Sequence, residues 1–442
     1  MVERMLSFYK RIRVYLTNTS WIMTEKIAIM GLGFLVTIVL ARYLGPEKFG
    51  ILTYAISVTT LFSVAGHVGL SGLVVRELVK EPENKRTIMG TSFVLKGLGY
   101  FIGFILVLLI AFITEVPGSV EFWMLIIISF SLFFKPFDVI DFWFQAQLNA
   151  KYTAISRTLA TLASSGIKLL LVFLGAQLVL FAVAHLVQTV FSAILLIIFF
   201  SVKSELNIKD MQFSKEKAKE LFKQCWIIFL GSIFAVIYLK VDQVMLKWMV
   251  GSGEVGVYAV ASSLSEAWYF VPTAIVASFF PKLIKLKDEN SELYHYRLQQ
   301  LFDFLFVIAL CVAFLVTYTA GPIILNLFGE SYAGSVSILV VHIWAALFIF
   351  MRAVLSKWIL IENVLIFSLI TQGLGSLANV ALNWWLIPLY GGLGAAYATL
   401  ISYAIAAYCS LVFHRKTRVV FVMMTKAFVI PIRYMFFKRK LK

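Results

Sequence analysis

Long apolar runs recur along the chain, separated by short polar breaks. Twelve are predicted as spans, at about 21–41, 49–73, 88–113, 121–144, 153–176, 178–202, 225–247, 255–280, 300–326, 335–357, 362–387 and 391–413. Most reach the ~20 residues that a helix needs to cross a bilayer. Stretches such as 98–113 and 178–202 are apolar on every face. Barrel strands need only about ten residues and alternate in polarity, so the runs read as helices. A helix also satisfies its own backbone in lipid. The predicted fold class is an all-α polytopic membrane protein of about twelve transmembrane helices.

The polar breaks carry a second pattern. "ARYLGPEKFGILTYAIS", residues 41–57, joins the first two runs, and "KWMVGSGEVGVYAVASS", residues 247–263, joins the seventh and eighth. At an offset of 206, Gly45 meets Gly251, Gly50 meets Gly256, Ala55 meets Ala261, Ser57 meets Ser263 and Arg76 meets Lys282. Both returning runs end at a basic loop. The pattern predicts a duplication into two pseudo-symmetric six-helix lobes around a central cavity, related by an axis along the membrane normal. The expected divisions are 1–202 (first lobe), 203–224 (basic cytoplasmic linker), 225–414 (second lobe) and 415–442 (basic interfacial tail). Lys426, Pro431 and Arg433 argue against a thirteenth span in that tail, which is expected to lie on anionic membrane lipid.

Composition agrees with the pattern. Of 442 residues, 61% are hydrophobic and 14% charged, and the mean hydropathy is +0.91. A soluble exterior cannot be built from so few polar residues. The formal net charge of +16 would suit nucleic acid, but its placement does not. Five segments (the N-terminal tail, 76–86, 203–223, 282–297 and the C-terminal tail) hold 27 of the 39 basic residues. With twelve spans all five fall on one side, which predicts both termini in the cytoplasm. The apolar run at 21–41 exceeds a signal-peptide core, and Arg42-Tyr43 is a poor cleavage site, so this run is expected to stay as the first span. Cys225, Cys311 and Cys409 are isolated in apolar stretches and are expected to be buried, inert thiols.

Polar residues inside spans are costly in lipid and therefore informative. In the fourth, Lys135, Asp138, Asp141 and Gln145 share a helical face; cavity lining and internal pairing of Lys135 with Asp138 both account for them. In the fifth, Arg157, Thr161, Ser164, Ser165 and Lys168 form a stripe, and Lys168 has no acid three or four residues away. Lys240 and Asp242 differ by two positions in the seventh, so each needs its own partner. Glu266 lies near the middle of the eighth, and Lys96 in the third. Glu25 and Lys26 are expected at the headgroup level, and Arg352 near a span end. In the eleventh, Ser368, Gln372, Ser376, Asn379 and Asn383 form an uncharged stripe that suits sugar hydroxyls or helix–helix bonding equally. Gly394, Ala398, Ser402 and Ala406 in the twelfth read as a close-packing face.

No GxxxxGKS/T, HExxH or GxSxG motif is present, and the formal dinucleotide fingerprint at 373–378 lies within an apolar run with no strand before it. The external breaks are too short for a folded catalytic domain. An enzyme is not expected, nor a cofactor, metal or nucleic acid; proton or sodium coupling is left open.

"ARYLGPEKFGILTYA", "KVDQVMLKWMVGSGEVGVYAVASSL", "FFPKL" and "LIPLYGGLGAAYATLISY" resemble the polysaccharide biosynthesis proteins over essentially the whole chain. These are the lipid-linked oligosaccharide flippases, O-antigen translocases among them, of the multidrug/oligosaccharidyl-lipid/polysaccharide superfamily. The resemblance implies two six-helix lobes and a central cationic cavity. It also implies alternating access that carries a polyprenyl-(pyro)phosphate-linked oligosaccharide from the cytoplasmic to the external leaflet of the cell membrane. Asp242 matches the family's acidic position in "DQVML". The remaining cavity candidates (Lys168, Arg157, Lys240, Glu266, Lys135, Asp138, Asp141, Lys96, Gln372, Asn379 and Asn383) come from helix geometry. Expected partners are the lipid-linked glycan and other glycan-assembly proteins. The rival readings are a cation-coupled multidrug exporter of the same fold, a membrane-embedded glycan polymerase or ligase, and a scaffold in a glycan-assembly complex.

Overall fold

A computed structural model describes residues 2–67 and 69–429, with side chains from Thr17 onward. All regular structure among the described residues is helical. The chain divides into two compact units, Met1–Val236 and Ile237–Lys442. The first contains α1 (Val2–His67), α2 (Ser71–Lys80), α3 (Lys85–Thr114), α4 (Val120–Ser129), α5 (Val139–Ala146), α6 (Ala150–Phe173) and α7 (Leu178–Lys203). The division falls within α8 (Lys215–Met249). The second unit continues with α9 (Ser252–Glu266), α10 (Phe270–Glu289), α11 (Ser291–Phe328), α12 (Gly334–His342), α13 (Ala346–Ile361), α14 (Ile366–Tyr390), α15 (Gly392–Ala407) and α16 (Arg418–Phe428).

Among the described residues nine helices are long and apolar enough to cross a membrane, ten when a bent pair is joined. Two physical features separate this from the expected twelve. The first two expected spans share one helical run, broken at Gly45. The eleventh lies on α14, where Gln372, Ser376, Asn379 and Asn383 dilute the apolar content. The bent pair, Val120–Phe133 with Lys135–Ala146, turns by 41°. Pro136 contributes no backbone N–H at that break, and tight 3₁₀ turns replace the α-helix there.

The paired glycine breaks have a common backbone cause. Gly45 adopts φ 69°, ψ 170° and Gly251 φ 130°, ψ 175°, conformations that a side chain would strain. Pro46 and Ser252 open the returning helices.

In the first unit, Leu70, Val74, Ile88, Val139, Phe200 and Leu221 belong to one buried core. The basic segment 203–224 packs within this unit. Lys85 pairs with Glu205 at 3.3 Å, Gln212 N–H donates to Arg86 O at 3.1 Å and Ser214 N–H to Thr91 Oγ1 at 3.1 Å. Lys217 closes the attachment through Glu77, at 3.1 Å, and Glu81, at 3.2 Å.

In the second unit, Tyr294, Phe302, Phe350, Trp358 and Met424 centre the core. α16 is too short to cross a bilayer; it buries Val420, Met424 and Ala427 in that core. The rest of the expected interfacial tail, from residue 430, lies outside the described residues. α14 and α15 pack as their small residues suggest: a side chain at Gly375 would come within 2.5 Å of Ala406 Cβ. Of the cysteines only Cys225 is buried. Cys311 and Cys409 are exposed, a correction to the expectation of three buried thiols: a span in lipid presents apolar residues outward as well as inward, so an apolar neighbourhood does not imply burial.

Candidate functional site

Most intramembrane charges in each unit have partners on other helices. In the first, Arg157 on α6 reaches three carboxylates: Asp141 at 3.1 Å, Glu25 at 3.5 Å and Asp138 at 3.6 Å. Asp138 and Asp141 meet it together because they lie one turn apart on the bent segment. Gln145 Nε2 also donates to Asp141, at 3.0 Å. Glu25 therefore belongs to this cluster rather than to the headgroup level alone. Lys96 is only 4% exposed. Its ammonium lies 4.6 Å from the Phe142 ring centre and 5.9 Å from that of Tyr100, a cation–π arrangement. Among the described residues the ion pair of Asp138 is with Arg157, not with Lys135, which remains half-buried nearby.

The stripe on α6 divides by function. Thr161 Oγ1 donates to Arg157 O at 2.8 Å and accepts from Gln188 on α7. Ser164 donates to Ala184 O, also on α7, at 2.8 Å. These hydroxyls join two helices. Lys168, three turns beyond Arg157, has no hydrogen bond or ion pair among the described residues and is half-buried. It is a spare cation within a span.

In the second unit Lys240 and Asp242 do go to separate partners. Lys240 meets Glu266 at 3.8 Å, with both side chains about a third exposed. Asp242 is 3% exposed and accepts from Asn383 Nδ2 at 2.6 Å, Tyr258 Oη at 2.7 Å and Thr399 Oγ1 at 2.7 Å. Asn383 also donates to Asn379 Oδ1 at 3.1 Å, and Asn379 donates to Ser402 at 3.4 Å. Both asparagines are fully buried. They are committed to holding the carboxylate and α15, whereas Gln372 bonds locally to Ser368 at 3.0 Å. The stripe on α14 thus serves as interhelical bonding at its deep positions. The Asp242 cluster brings together a carboxylate, hydroxyls and amides, and Asn383 Oδ1 is buried without a hydrogen-bond partner. Oxygen donors of this kind suit a proton or a hard monovalent cation.

Arg352 was expected near a span end. Its Nη1 donates to Thr371 Oγ1 at 2.8 Å and to Ala406 O at 3.3 Å, and no carboxylate among the described residues pairs with it. The acceptors lie 19 and 54 residues away, so no local spacing could have revealed them.

Residues 15–287 match the family model described as polysaccharide biosynthesis protein. A putative O-antigen transporter of Shigella flexneri is 26% identical over 324 residues, covering 69% of this chain and 73% of that protein. The probable flippase AglR of Haloferax volcanii is 24% identical over 379 residues, covering 84% and 77%. Among solved structures, the lipid II flippase MurJ in an inward closed conformation superimposes with a TM-score of 0.69 at 17% identity, over 94% of this chain and 91% of that one. An inward-facing multidrug-resistance MATE transporter gives 0.66 at 17% identity, over 90% and 96%. At such identities the structural likeness concerns the fold. The match to the family model spans well over half the sequence, and the chain belongs to the polysaccharide biosynthesis protein family.

Proposed function

We propose that the protein is a flippase. It moves a polyprenyl-(pyro)phosphate-linked oligosaccharide from the cytoplasmic to the external leaflet by alternating access, for surface polysaccharide or glycan assembly. The observation that carries this reading is family membership, with curated relatives named as an O-antigen transporter and a flippase. The intramembrane cations support it, because a phosphate-linked headgroup brings negative charge into a region that otherwise excludes it. Lys168 is the cation best placed to take that charge, since Arg157 is already matched by three carboxylates and Lys240 by Glu266. Lys135 and Lys96 set the local field, with Asp138 and Asp141. The headgroup rides on polar side chains while the polyprenyl tail stays in lipid. Asp242 and Glu266 supply groups for proton or sodium coupling. Clustering of basic residues at alternate breaks supports a cell-membrane protein with both termini cytoplasmic, and glycan-assembly enzymes as its partners.

The test is genetic and chemical. A strain lacking the gene is expected to accumulate its lipid-linked oligosaccharide on the cytoplasmic side, and the intact gene to relieve this. Accumulation of full-length polymer precursors on the external side instead would favour a polymerase or ligase. Altered drug tolerance with normal glycan export would favour a multidrug exporter.

A further inference from the structure

α10 and α11 form a hairpin whose turn is Asn290. Each contributes one helical face, at positions i, i+3, i+4 and i+7, to a groove of about 330 Å³ within the second unit. From α10 come Phe279, Lys282, Leu283 and Leu286; from α11 come Arg297, Gln300, Leu301 and Phe304. Leu283 and Leu301 are buried and form the floor, while Phe279 and Phe304 are exposed and form the walls at the end away from the turn. Lys282 lies eight residues before Asn290 and Arg297 seven after it. At 1.5 Å per residue both cations stand roughly 10–12 Å from the turn, level with each other.

Neither cation is answered by a carboxylate among the described residues. Arg297 Nη1 donates to Gln300 at 2.8 Å and its guanidinium lies 5.9 Å from the Tyr296 ring centre, leaving most of its donors open. Lys282 is exposed. The neighbouring Lys285 is different: it pairs with Glu289 at 3.6 Å and does not line the groove. An apolar slot between two membrane-crossing helices, rimmed on both sides by unpaired cations at the basic end of the hairpin, matches an amphiphile with one phosphate and an acyl chain.

We propose that this groove binds an anionic phospholipid of the surrounding leaflet. The phosphate bridges Lys282 and Arg297, with Gln300 as a neutral donor. The first part of an acyl chain lies over Leu283 and Leu301, against Phe279 and Phe304. Charge complementarity selects an anionic headgroup, and the slot's opening at exposed phenylalanines selects a lipid over a soluble phosphate. The site is independent of flipping: a protein with no flippase activity would still bind the lipid here.

Purified full-length protein is titrated with phosphatidylglycerol, phosphatidylcholine, polyprenyl phosphate and glycerol 3-phosphate, and bound species are read by native mass spectrometry. Phosphatidylglycerol is expected to bind tightest. Lys282→Ala with Arg297→Ala is expected to weaken it roughly tenfold or more, and Lys285→Ala to leave it unchanged. Should the double alanine variant fail to fold, Lys282→Gln with Arg297→Gln retains the side-chain bulk and serves the same test. Equal binding of phosphatidylcholine, equal binding of glycerol 3-phosphate, or no loss in the double variant overturns the proposal. Binding of polyprenyl phosphate in preference to phosphatidylglycerol also overturns it and assigns the groove to the carrier lipid instead.

Discussion

A charge inside a bilayer needs an opposite charge, a dipole or water, and the individual residues here find these in different ways. Arg157 has three carboxylates, Arg352 a hydroxyl and a carbonyl, and Lys168 none among the described residues. Lys168→Ala is therefore expected to slow flipping roughly tenfold or more at normal protein levels, the worth of one charge-assisted hydrogen bond. Lys168→Arg is expected to retain much of the rate; equal rates for both variants and the native chain would remove Lys168 from the transport path. Asp242 makes a stability prediction. Replacing it with Ala strands Tyr258, Thr399 and Asn383, at about 1–3 kcal/mol for each buried group left unsatisfied. Asp242→Asn keeps part of that network, so its melting temperature should fall less. Some of this chemistry was legible in the sequence. Asp138 and Asp141 lie one turn apart, and the separation of Lys240 from Asp242 predicted separate partners. The company of Asp242 was not legible, because Asn383 and Thr399 are 141 and 157 residues away. The partner of Glu25 was not legible for the same reason: Arg157 lies on another helix, 132 residues on.

Among the elements, glycine breaks and charged attachments set where helices begin. Gly45 and Gly251 hold positive φ at the start of returning helices. Gly45→Ala and Gly251→Ala are each expected to cost about 1–3 kcal/mol in backbone strain, measurable by thermal melting. That the two breaks correspond was readable from glycine spacing alone, since only glycine tolerates the turn. At the start of α8, Lys217 bridges Glu77, Glu81 and Glu220 within 3.2 Å. Lys217→Ala should speed hydrogen exchange over residues 215–224 while leaving α6 and α7 protected. The Asn84 amide, and then Lys217, hold the Glu81 carboxyl below its ordinary range. A depressed carboxylate stabilises the fold fully above its unfolded pKa of about 4.3, and loses that contribution as pH falls through the folded value. Protection over 215–224, taken relative to the intrinsic exchange rate at each pH, is thus expected to fall in acid, and unchanged protection there would count against the attachment. The segment's charge was obvious in the sequence; its attachment was not, because Glu77 is 140 residues from Lys217.

At the scale of the whole molecule, composition and run length were enough to predict a helical membrane protein, since nothing else accommodates so much apolar surface. The number of crossing helices was less legible. One polar helix, α14, falls short on hydropathy because its buried asparagines serve Asp242. One expected span is bent at Pro136. The chain belongs to the polysaccharide biosynthesis proteins and its fold is like that of MurJ, both in keeping with the proposed flippase. The most direct test of the flippase reading uses the purified protein in vesicles carrying a fluorescent polyprenyl-pyrophosphate oligosaccharide in both leaflets, with a membrane-impermeant quencher or glycosidase added outside. Signal loss beyond the outer-leaflet half, dependent on the protein and absent for a phospholipid bearing the same fluorophore, is the expected result. Loss that stops at the outer leaflet, with protein correctly inserted, would contradict it.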